Sequence, residues 1–194
     1  FPPLDITAAA TVGNGIARLS DERAEHYRSL YEQKAPKLDI LKFVPASGAA
    51  TRMFKDLFVF MDDFPSSGLP FDEFIAQRKL SGVDAFFRNI RHFAFFDELA
   101  NIYASAGDDI EKRLADGDYA DIVRKVLSGE GLGYGTLPKG LISFHKYPNR
   151  ARKAAEEHLA EGVMYATGEG RKVRIHFTVS PEHEILFEAL MRSV

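Results

Sequence analysis

The chain has 194 residues, a formal net charge of −3 and no cysteine, which excludes disulfides, thiolate metal sites and a cysteine nucleophile. The slightly acidic charge gives no general attraction to nucleic acid or to anionic membranes, so neither is an expected partner. Hydrophobic residues make up 45% of the sequence, enough for a core of useful size, and no apolar run reaches the roughly 20 residues of a membrane span; the expected location is the cytoplasm.

The two ends of the sequence predict a fragment of a longer protein. The chain begins with Phe1-Pro2-Pro3 and no methionine. Its last residues, up to Val194, follow a helical pattern that has no glycine cap. We therefore expect further residues beyond Val194.

The first third of the chain predicts helix, strand and helix in that order. Ser20 is suited to cap a helix that runs to about Lys34, because acidic residues follow it in the first turn. The largely apolar run 38–46 predicts a central strand of a sheet. A second helix is expected from Thr51 to about Met61, with the Thr51 hydroxyl as its cap.

The segment 64–127 has a different character, because it is rich in phenylalanine and contains several helix starts. Apolar residues recur at helical spacing after Ser81 and after Asp118. The pattern predicts an all-helical subdomain inserted into the chain. Its phenylalanines are interpreted as the core of this subdomain, since small helical units need large side chains; an aromatic ligand platform is the alternative.

The segment 128–194 predicts a return to alternating strands and helices. A glycine-rich connector leads to a strand that ends before His145, and Asn149 is expected to cap a helix that ends at Gly162. The alternating run 173–179 predicts a half-buried strand, and Ser180-Pro181 starts a last helix. Strand and helix alternate three times outside the insertion, which predicts an α/β core with a mostly parallel sheet built from 1–63 and 128–194.

One run carries most of the functional argument: residues 42–53 give a short strand, a loop of very small residues, and then Thr51-Arg52. Small side chains let a ligand approach the backbone, and amide groups at a helix start attract anions. A basic side chain adds a full charge to that field. The run predicts a phosphate site, with a plain strand-to-helix turn as the alternative.

Together with Pro138-Lys139-Gly140, the loop resembles that of the sugar-nucleotide pyrophosphorylases, which have a nucleotidyltransferase-like, Rossmann-like fold. Those enzymes carry Ala-Gly-Gly-x-Gly-Thr-Arg after a strand, and later a Pro-Lys pair. Ala46, Gly48, Thr51-Arg52 and Pro138-Lys139 match this pattern, whereas Ser47 and Ala50 replace two glycines. If those positions need a positive φ, Ala50 would be strained.

The whole chain resembles more closely a bacterial family described as domain of unknown function 4301. The segments that carry this resemblance are 44–53, 137–142, 144–147 and 176–183. The family brings no established activity. The pyrophosphorylase resemblance covers only the segments outside the helical insertion.

The pyrophosphorylase resemblance implies that a sugar 1-phosphate attacks the α-phosphate of a nucleoside triphosphate and releases pyrophosphate. It implies that Arg52 holds the leaving phosphates, that Lys139 reaches the α-phosphate, and that Mg²⁺ completes the clamp with an acidic ligand beyond Val194. Lys55, His145 and Lys146 are either further pocket residues or solvated surface residues. The candidate site residues are Ala46, Ser47, Gly48, Ala49, Thr51, Arg52, Lys55, Lys139, His145 and Lys146.

Three functions remain open from the sequence. The first is a nucleotidyltransferase-like enzyme that acts on a nucleoside triphosphate and a phosphorylated small molecule. The second is a degenerate relative that binds a nucleotide or a sugar phosphate without turnover. The third is a different phosphate-ester enzyme on a related α/β scaffold.

Overall fold

The structure is a computed structural model that describes residues 5–194. The start of the chain at Phe1, which contributes to the fragment prediction, lies outside this range. The helices within it are α1 (Asp21–Lys34), α2 (Lys55–Ser67), α3 (Phe71–Arg78), α4 (Ser81–Asn89), α5 (Phe96–Ser105), α6 (Ile110–Ala115), α7 (Tyr119–Leu127), α8 (Ala154–Tyr165) and α9 (Glu184–Ser193). The strands are β1 (Thr11–Val12), β2 (Gly15–Ile16), β3 (Leu41–Pro45), β4 (Ser143–Lys146), β5 (Ala151–Lys153) and β6 (Arg174–Thr178).

The first predicted helix is confirmed as α1. The Ser20 side chain accepts a hydrogen bond from the Arg23 amide at 3.3 Å, and acidic residues occupy the first turn. None of the residues of this helix is buried. Its capping therefore defines where it begins, while its surface remains largely in contact with solvent.

The larger apolar core belongs to helices α2 to α7, and every regular element in the segment 64–127 is helical, as predicted. Phe60 of α2 is fully buried, and its ring centroid lies 4.6 Å from that of Phe64 and 5.9 Å from that of Phe74. Phe86 and Phe87 are also buried in this cluster. The interpretation of the phenylalanines as core residues is confirmed.

The same cluster takes in residues from outside the segment 64–127. Ala50, Phe54 and Leu57 precede that segment, and Ile142 follows it. The helical core therefore begins directly after the small-residue loop. The proposed division of the chain at 63/64 and 127/128 stays a prediction.

A second, smaller core lies between a pair of parallel strands and helices α8 and α9. Strand β3 pairs with β6 from Leu41 opposite Arg174 to Pro45 opposite Thr178. The buried members of this smaller core are Val44, Ala46, Leu141, Ala155, Phe187 and Leu190. On the other face of the sheet, Phe43 is 59% exposed and stacks on His176. Only one face of this sheet is therefore covered by residues 5–194.

The predicted mostly parallel sheet of several strands is wrong for the described residues. Strand β4 does not join β3 and β6; it pairs antiparallel with β5. The cause is local, because the Tyr147 amide donates to the Arg150 carbonyl at 2.9 Å and folds the chain into a hairpin turn. The prediction that run 38–46 forms a central strand is also wrong for residues 5–194, among which β3 has one partner strand. The architecture is mixed α/β with small sheets, and the nucleotidyltransferase-like fold stays a prediction.

The predicted bounds of helix α8 are wrong at both ends. Asn149 lies in the hairpin turn, and α8 begins at Ala154, where the Lys153 amide donates to the Glu156 carboxylate at 2.7 Å. The helix continues past Gly162 to Tyr165. A Cβ at position 162 would lie 2.5 Å from Ile175 Cδ1. This glycine therefore allows close packing of helix on strand rather than ending the helix.

None of the helices within residues 5–194 combines the length and the apolar character that crossing a bilayer requires.

Candidate functional site

The small-residue loop after β3 is hydrogen-bonded to the Pro138-Lys139 segment. The Lys139 amide donates to the Gly48 carbonyl at 3.0 Å, and Ala49 forms an isolated β-bridge with Pro138. On its other side, the loop is tied to β6, because the Ala46 amide donates to the Thr178 carbonyl at 2.8 Å. The two segments that match the pyrophosphorylase motif are thus neighbours in space.

These segments line a cleft of about 140 Å³ at the carboxyl ends of β3 and β6, which we call the strand-end cleft. Ligands of α/β sheets bind at this end of the strands. The wall is made of small and apolar residues with two basic side chains, Lys139 and His158. The lining residues are Val44, Pro45, Ala46, Gly48, Lys139, Gly140, Ala154, Ala155, His158 and Phe177.

Gly140 allows the close packing that shapes one wall of the strand-end cleft. A Cβ at this position would lie 2.8 Å from the Phe187 ring and 3.6 Å from the Ala46 side chain. Both neighbours belong to the smaller core. Close packing therefore leaves backbone, rather than side chain, on this part of the wall.

The loop is not strained where the motif would place glycine. Neither Ser47 nor Ala50 adopts a positive φ, and Gly48 does not either. Ala50 is fully buried and packs in the helical core. The concern that Ala50 would be strained therefore does not apply to this conformation.

The helix after the loop begins later than predicted. Residues 51–54 form a turn in which the Met53 and Phe54 amides both donate to the Ala50 carbonyl, and α2 starts at Lys55. The helix has no side-chain cap, so the prediction that Thr51 caps it is wrong. A helix start therefore does not directly follow the loop.

Three exposed basic side chains belong to the loop's surroundings. Arg52 and Lys55 follow the loop in the sequence, and Lys139 belongs to the segment that is hydrogen-bonded to it. None of the ion pairs found within residues 5–194 involves any of them. Their charge is therefore not neutralised by a neighbouring carboxylate. Lys139 lines the strand-end cleft, while Arg52 and Lys55 lie in and after the turn that leaves the loop.

His145 and Lys146 lie apart from the lining of the strand-end cleft. Both are exposed residues of β4, so the prediction that this strand ends before His145 is wrong. The Lys146 ammonium donates to the Arg91 carbonyl of the helical region at 3.3 Å. The structure thus brings together Ala46, Gly48 and Lys139 but places neither of these two residues among the lining side chains.

Sequence reasoning missed a polar network behind the strand-end cleft. Lys42 of β3 has a side chain that is only 9% exposed, and its ammonium donates to the Glu161 carboxylate at 2.6 Å and to the His158 carbonyl at 2.9 Å. The same ammonium lies 4.8 Å from the centre of the Tyr165 ring. Two sequence signals were available: Lys42 shares a strand face with Val44, and His158 and Glu161 are three apart on one helix.

The Glu161 carboxylate accepts three side-chain hydrogen bonds. The donors are Lys42, His158 Nδ1 at 3.0 Å and the Tyr165 hydroxyl at 3.1 Å. Lys42 first, and then His158, lower the pKa of Glu161 to about 2. Burial by itself would lower the pKa of Lys42, but the hydrogen bonds that its ammonium donates to Glu161 and Tyr165 outweigh burial and raise that pKa. Both charges of the pair therefore persist at neutral pH.

A larger cavity of about 450 Å³ lies beside the loop, between α2, α4 and β4. Its wall is mainly apolar and aromatic, with Phe54, Phe86 and Phe95 among the lining residues. The part of the wall formed by the described residues contains no lysine, arginine or histidine. It therefore suits an uncharged or apolar group rather than a phosphate.

The described residues do not fit a magnesium site at the strand-end cleft. The described lining residues of the cleft include no carboxylate. Within residues 5–194, no group of three or more histidine, aspartate or glutamate side chains is arranged to hold a metal ion. Carboxylates are the side chains that Mg²⁺ prefers, so no step is assigned to Mg²⁺ on this part of the chain.

Comparison with known proteins identifies a family without identifying an activity. Searches of curated proteins and of solved structures each returned no match. The model of the family described as domain of unknown function (DUF4301) matches residues 1–194. The chain therefore belongs to this family.

Proposed function

We propose that the protein binds the phosphates of a nucleoside triphosphate and of a sugar phosphate at the strand-end cleft, and that it acts as a nucleotidyltransferase of the pyrophosphorylase type. One observation carries the proposal: the bridge between Gly48-Ala49 and Pro138-Lys139 places an unneutralised lysine beside a loop of small residues at the strand ends. A backbone open to close approach and a free ammonium are the two things that phosphate recognition needs.

In the proposed reaction, a phosphate oxygen of the sugar 1-phosphate attacks the α-phosphorus of the triphosphate. The new P–O bond forms as the bond from the α-phosphorus to the bridging oxygen breaks, and pyrophosphate leaves. Such transfers depend on positioning and charge neutralisation more than on covalent chemistry. Lys139 would neutralise charge at the α-phosphate, and Arg52 would hold the departing phosphates.

Loop residues have a separate part in this proposal. The backbone at Ala46, Ser47, Gly48 and Ala49 would face the nucleotide, and Lys55 would add charge at the same mouth. The apolar cavity beside the loop offers room for an uncharged part of a substrate. The proposed place of action is the cytoplasm.

A second candidate function is binding of the nucleotide or sugar phosphate without turnover. The absence of a carboxylate from the cleft lining favours it, because the pyrophosphorylase resemblance implies a carboxylate-bound Mg²⁺. The two candidates share the strand-end cleft and differ only in whether pyrophosphate is released.

Pyrophosphate release, measured with each nucleoside triphosphate paired with a panel of sugar 1-phosphates in the presence of Mg²⁺, separates them. Release with one pair supports the enzyme, while nucleotide binding without release from any pair supports the binding protein. No binding of any triphosphate would rule out both.

The site assignment is tested by Lys139→Ala and Arg52→Ala. Each removes a free cation, and each is expected to weaken triphosphate binding by about tenfold, measured by isothermal titration calorimetry, with the melting temperature unchanged. Lys37→Ala removes an exposed lysine from the turn after α1 and serves as the matched control. If all three variants bind the triphosphate as tightly as the wild type does, the phosphates bind elsewhere.

A further inference from the structure

His158 has one ring nitrogen engaged and the other free at the strand-end cleft. Its Nδ1 lies 3.0 Å from the Glu161 carboxylate, and the side chain lines the cleft and is 39% exposed. No hydrogen bond to Nε2 occurs within the described part of the chain. An ionised carboxylate only accepts hydrogen bonds, so Nδ1 carries the hydrogen in this pair. Nε2 is then the nitrogen whose protonation can change.

The orientation of this imidazole is fixed from two directions. Glu161 is itself held by the Lys42 ammonium at 2.6 Å and by the Tyr165 hydroxyl at 3.1 Å. The same ammonium donates to the His158 carbonyl at 2.9 Å and thereby ties this turn of α8 to β3. Such supporting contacts are what keep a ring nitrogen aimed at a ligand.

Charged side chains from three parts of the chain lie around His158. Glu161 lies on the same helix, Lys42 belongs to β3, and Lys139 is a further lining residue of the cleft. From β6, the apolar Phe177 faces the cleft, while His176 points to the other face of the sheet and stacks on Phe43. Because Nδ1 keeps its hydrogen for Glu161, Nε2 can donate to an anion in the cleft only when the ring carries both hydrogens.

We propose that His158 contacts the phosphate in the strand-end cleft by donating a hydrogen bond from Nε2, and that Glu161 and Lys42 are its positioning residues. This inference rests on the proposed function, because it takes the same phosphorylated ligand. It adds that phosphate binding is coupled to uptake of a proton by this one histidine. By linkage, acidification strengthens binding to the same extent that bound phosphate favours the imidazolium.

The test uses inorganic pyrophosphate as the probe, with affinities measured by isothermal titration calorimetry at pH 8, 7 and 6. In His158→Gln, the amide can keep a donor near the position of Nε2 without titrating. In His158→Asn, the shorter side chain can keep the contact with Glu161 but does not reach the cleft. We expect His158→Asn to bind about tenfold more weakly than the wild type at pH 6, and His158→Gln to retain most of the affinity.

The pH dependence gives the second measurement. Pyrophosphate itself gains a proton in this pH range, equally for every variant, so the ratio of wild-type to His158→Gln affinity isolates the histidine. This ratio should rise as the pH falls from 8 to 6. In ¹⁵N spectra of the wild-type protein at pH 7, pyrophosphate should shift the His158 ring signals toward the imidazolium, a readout that does not depend on the variants folding.

The results distinguish this inference from the proposed function. If pyrophosphate binds and Lys139→Ala weakens it, but both His158 variants match the wild type and the ring signals stay unchanged, His158 has no part and the proposed site stands. If Asn and Gln weaken binding equally and the affinity ratio is independent of pH, the role of His158 is structural. If neither pyrophosphate nor a triphosphate binds the wild type at any pH, both proposals fail.

Discussion

Two regions of this protein are stabilised by different forces. The helical region consists of α2 to α7, and the strand-containing region consists of β3, β6, α8 and α9. The helical cluster contains twenty-two buried residues, most of them large and apolar, whereas the cluster beneath β3 and β6 contains six. The smaller cluster is supplemented by the polar network of Lys42, His158, Glu161 and Tyr165. The comparison teaches that truncating a buried side chain should lower the free energy of unfolding most in the helical region. Changes of charge or pH should act on the strand-containing region.

The largest effect is expected from Phe60→Ala in the helical region. Phe60 is fully buried among other phenylalanines, so truncation leaves a cavity that its rigid neighbours cannot fill. The free energy of unfolding should fall by about 3–5 kcal/mol, measured by urea unfolding with circular dichroism. Phe43→Ala, at a position that is 59% exposed, should change it by less than about 0.5 kcal/mol. Similar losses in both variants would show that this core does not carry the stability.

Gly168→Ala tests how tightly the strand-containing region is packed without changing any charge. A Cβ at 168 would lie 2.3 Å from the Leu38 carbonyl oxygen and 3.2 Å from the Ile40 amide nitrogen, and neither backbone atom can move aside easily. We expect a loss of about 1–3 kcal/mol in the same assay. Gly129→Ala is the control, since no atom lies within 4 Å of its added Cβ. A neutral Gly168→Ala would mean that the turn at 168 is loosely packed.

Lys42→Met tests the polar network directly. The side chain is 9% exposed, and its removal takes away the shortest of the three hydrogen bonds to Glu161. The expected loss is about 1–2 kcal/mol. Combining it with Glu161→Gln in a double-mutant cycle should give a positive coupling energy. Arg192→Met removes an exposed ion pair with Glu188 and should cost less than about 0.5 kcal/mol; an equal cost would contradict a special role for Lys42.

The smallest effect is the acid sensitivity of the same network. The pKa of Glu161 is lowered to about 2 from its ordinary 4.5, so the unfolded chain binds this proton at higher pH than the folded chain does. The stabilisation is fully present above about pH 4.5 and is lost as the pH falls toward 2. Because the carboxylate is 42% exposed, about 1 kcal/mol is expected.

The unfolding free energies of the wild type and Glu161→Gln, compared at pH 6, 4 and 3, should converge as the pH falls. Other acids, such as Asp108 and Glu111, also have lowered pKa values, but they are common to both proteins. A constant difference from pH 6 to pH 3 would exclude the network as the origin.

What could be predicted from the sequence depended on how local the signal was. The cap at Ser20 and the apolar spacing in 64–127 act within one or two turns of helix, and both predictions are confirmed. The pairing of β4 with β5, rather than with β3, depends on a hairpin turn at 147–150 that the pattern of apolar residues does not encode. The start of α2 was predicted four residues early, because Thr51-Arg52 resembled a cap while the turn forms on the Ala50 carbonyl.

The residues of the candidate site also differ in whether the sequence could predict them. The proximity of the loop to Pro138-Lys139 was implied by resemblance to a two-part motif, and the structure brings these residues together. The roles assigned to them stay predictions. The position of His158 was missed because it depends on the packing of α8 against β3, which joins Lys42 to residues more than a hundred positions later.

The bridge between Ala49 and Pro138 also has a consequence for the order of folding. It closes a chain loop of about 90 residues, and joining its ends in an unfolded chain carries an entropy cost that no local contact offsets. The helical region brings these ends together, since its core contains both Ala50 and Ile142. The two halves of the strand-end cleft should therefore meet late in folding, after the helices have docked. Hydrogen exchange during refolding should show the Lys139 amide protected later than the amides of α7.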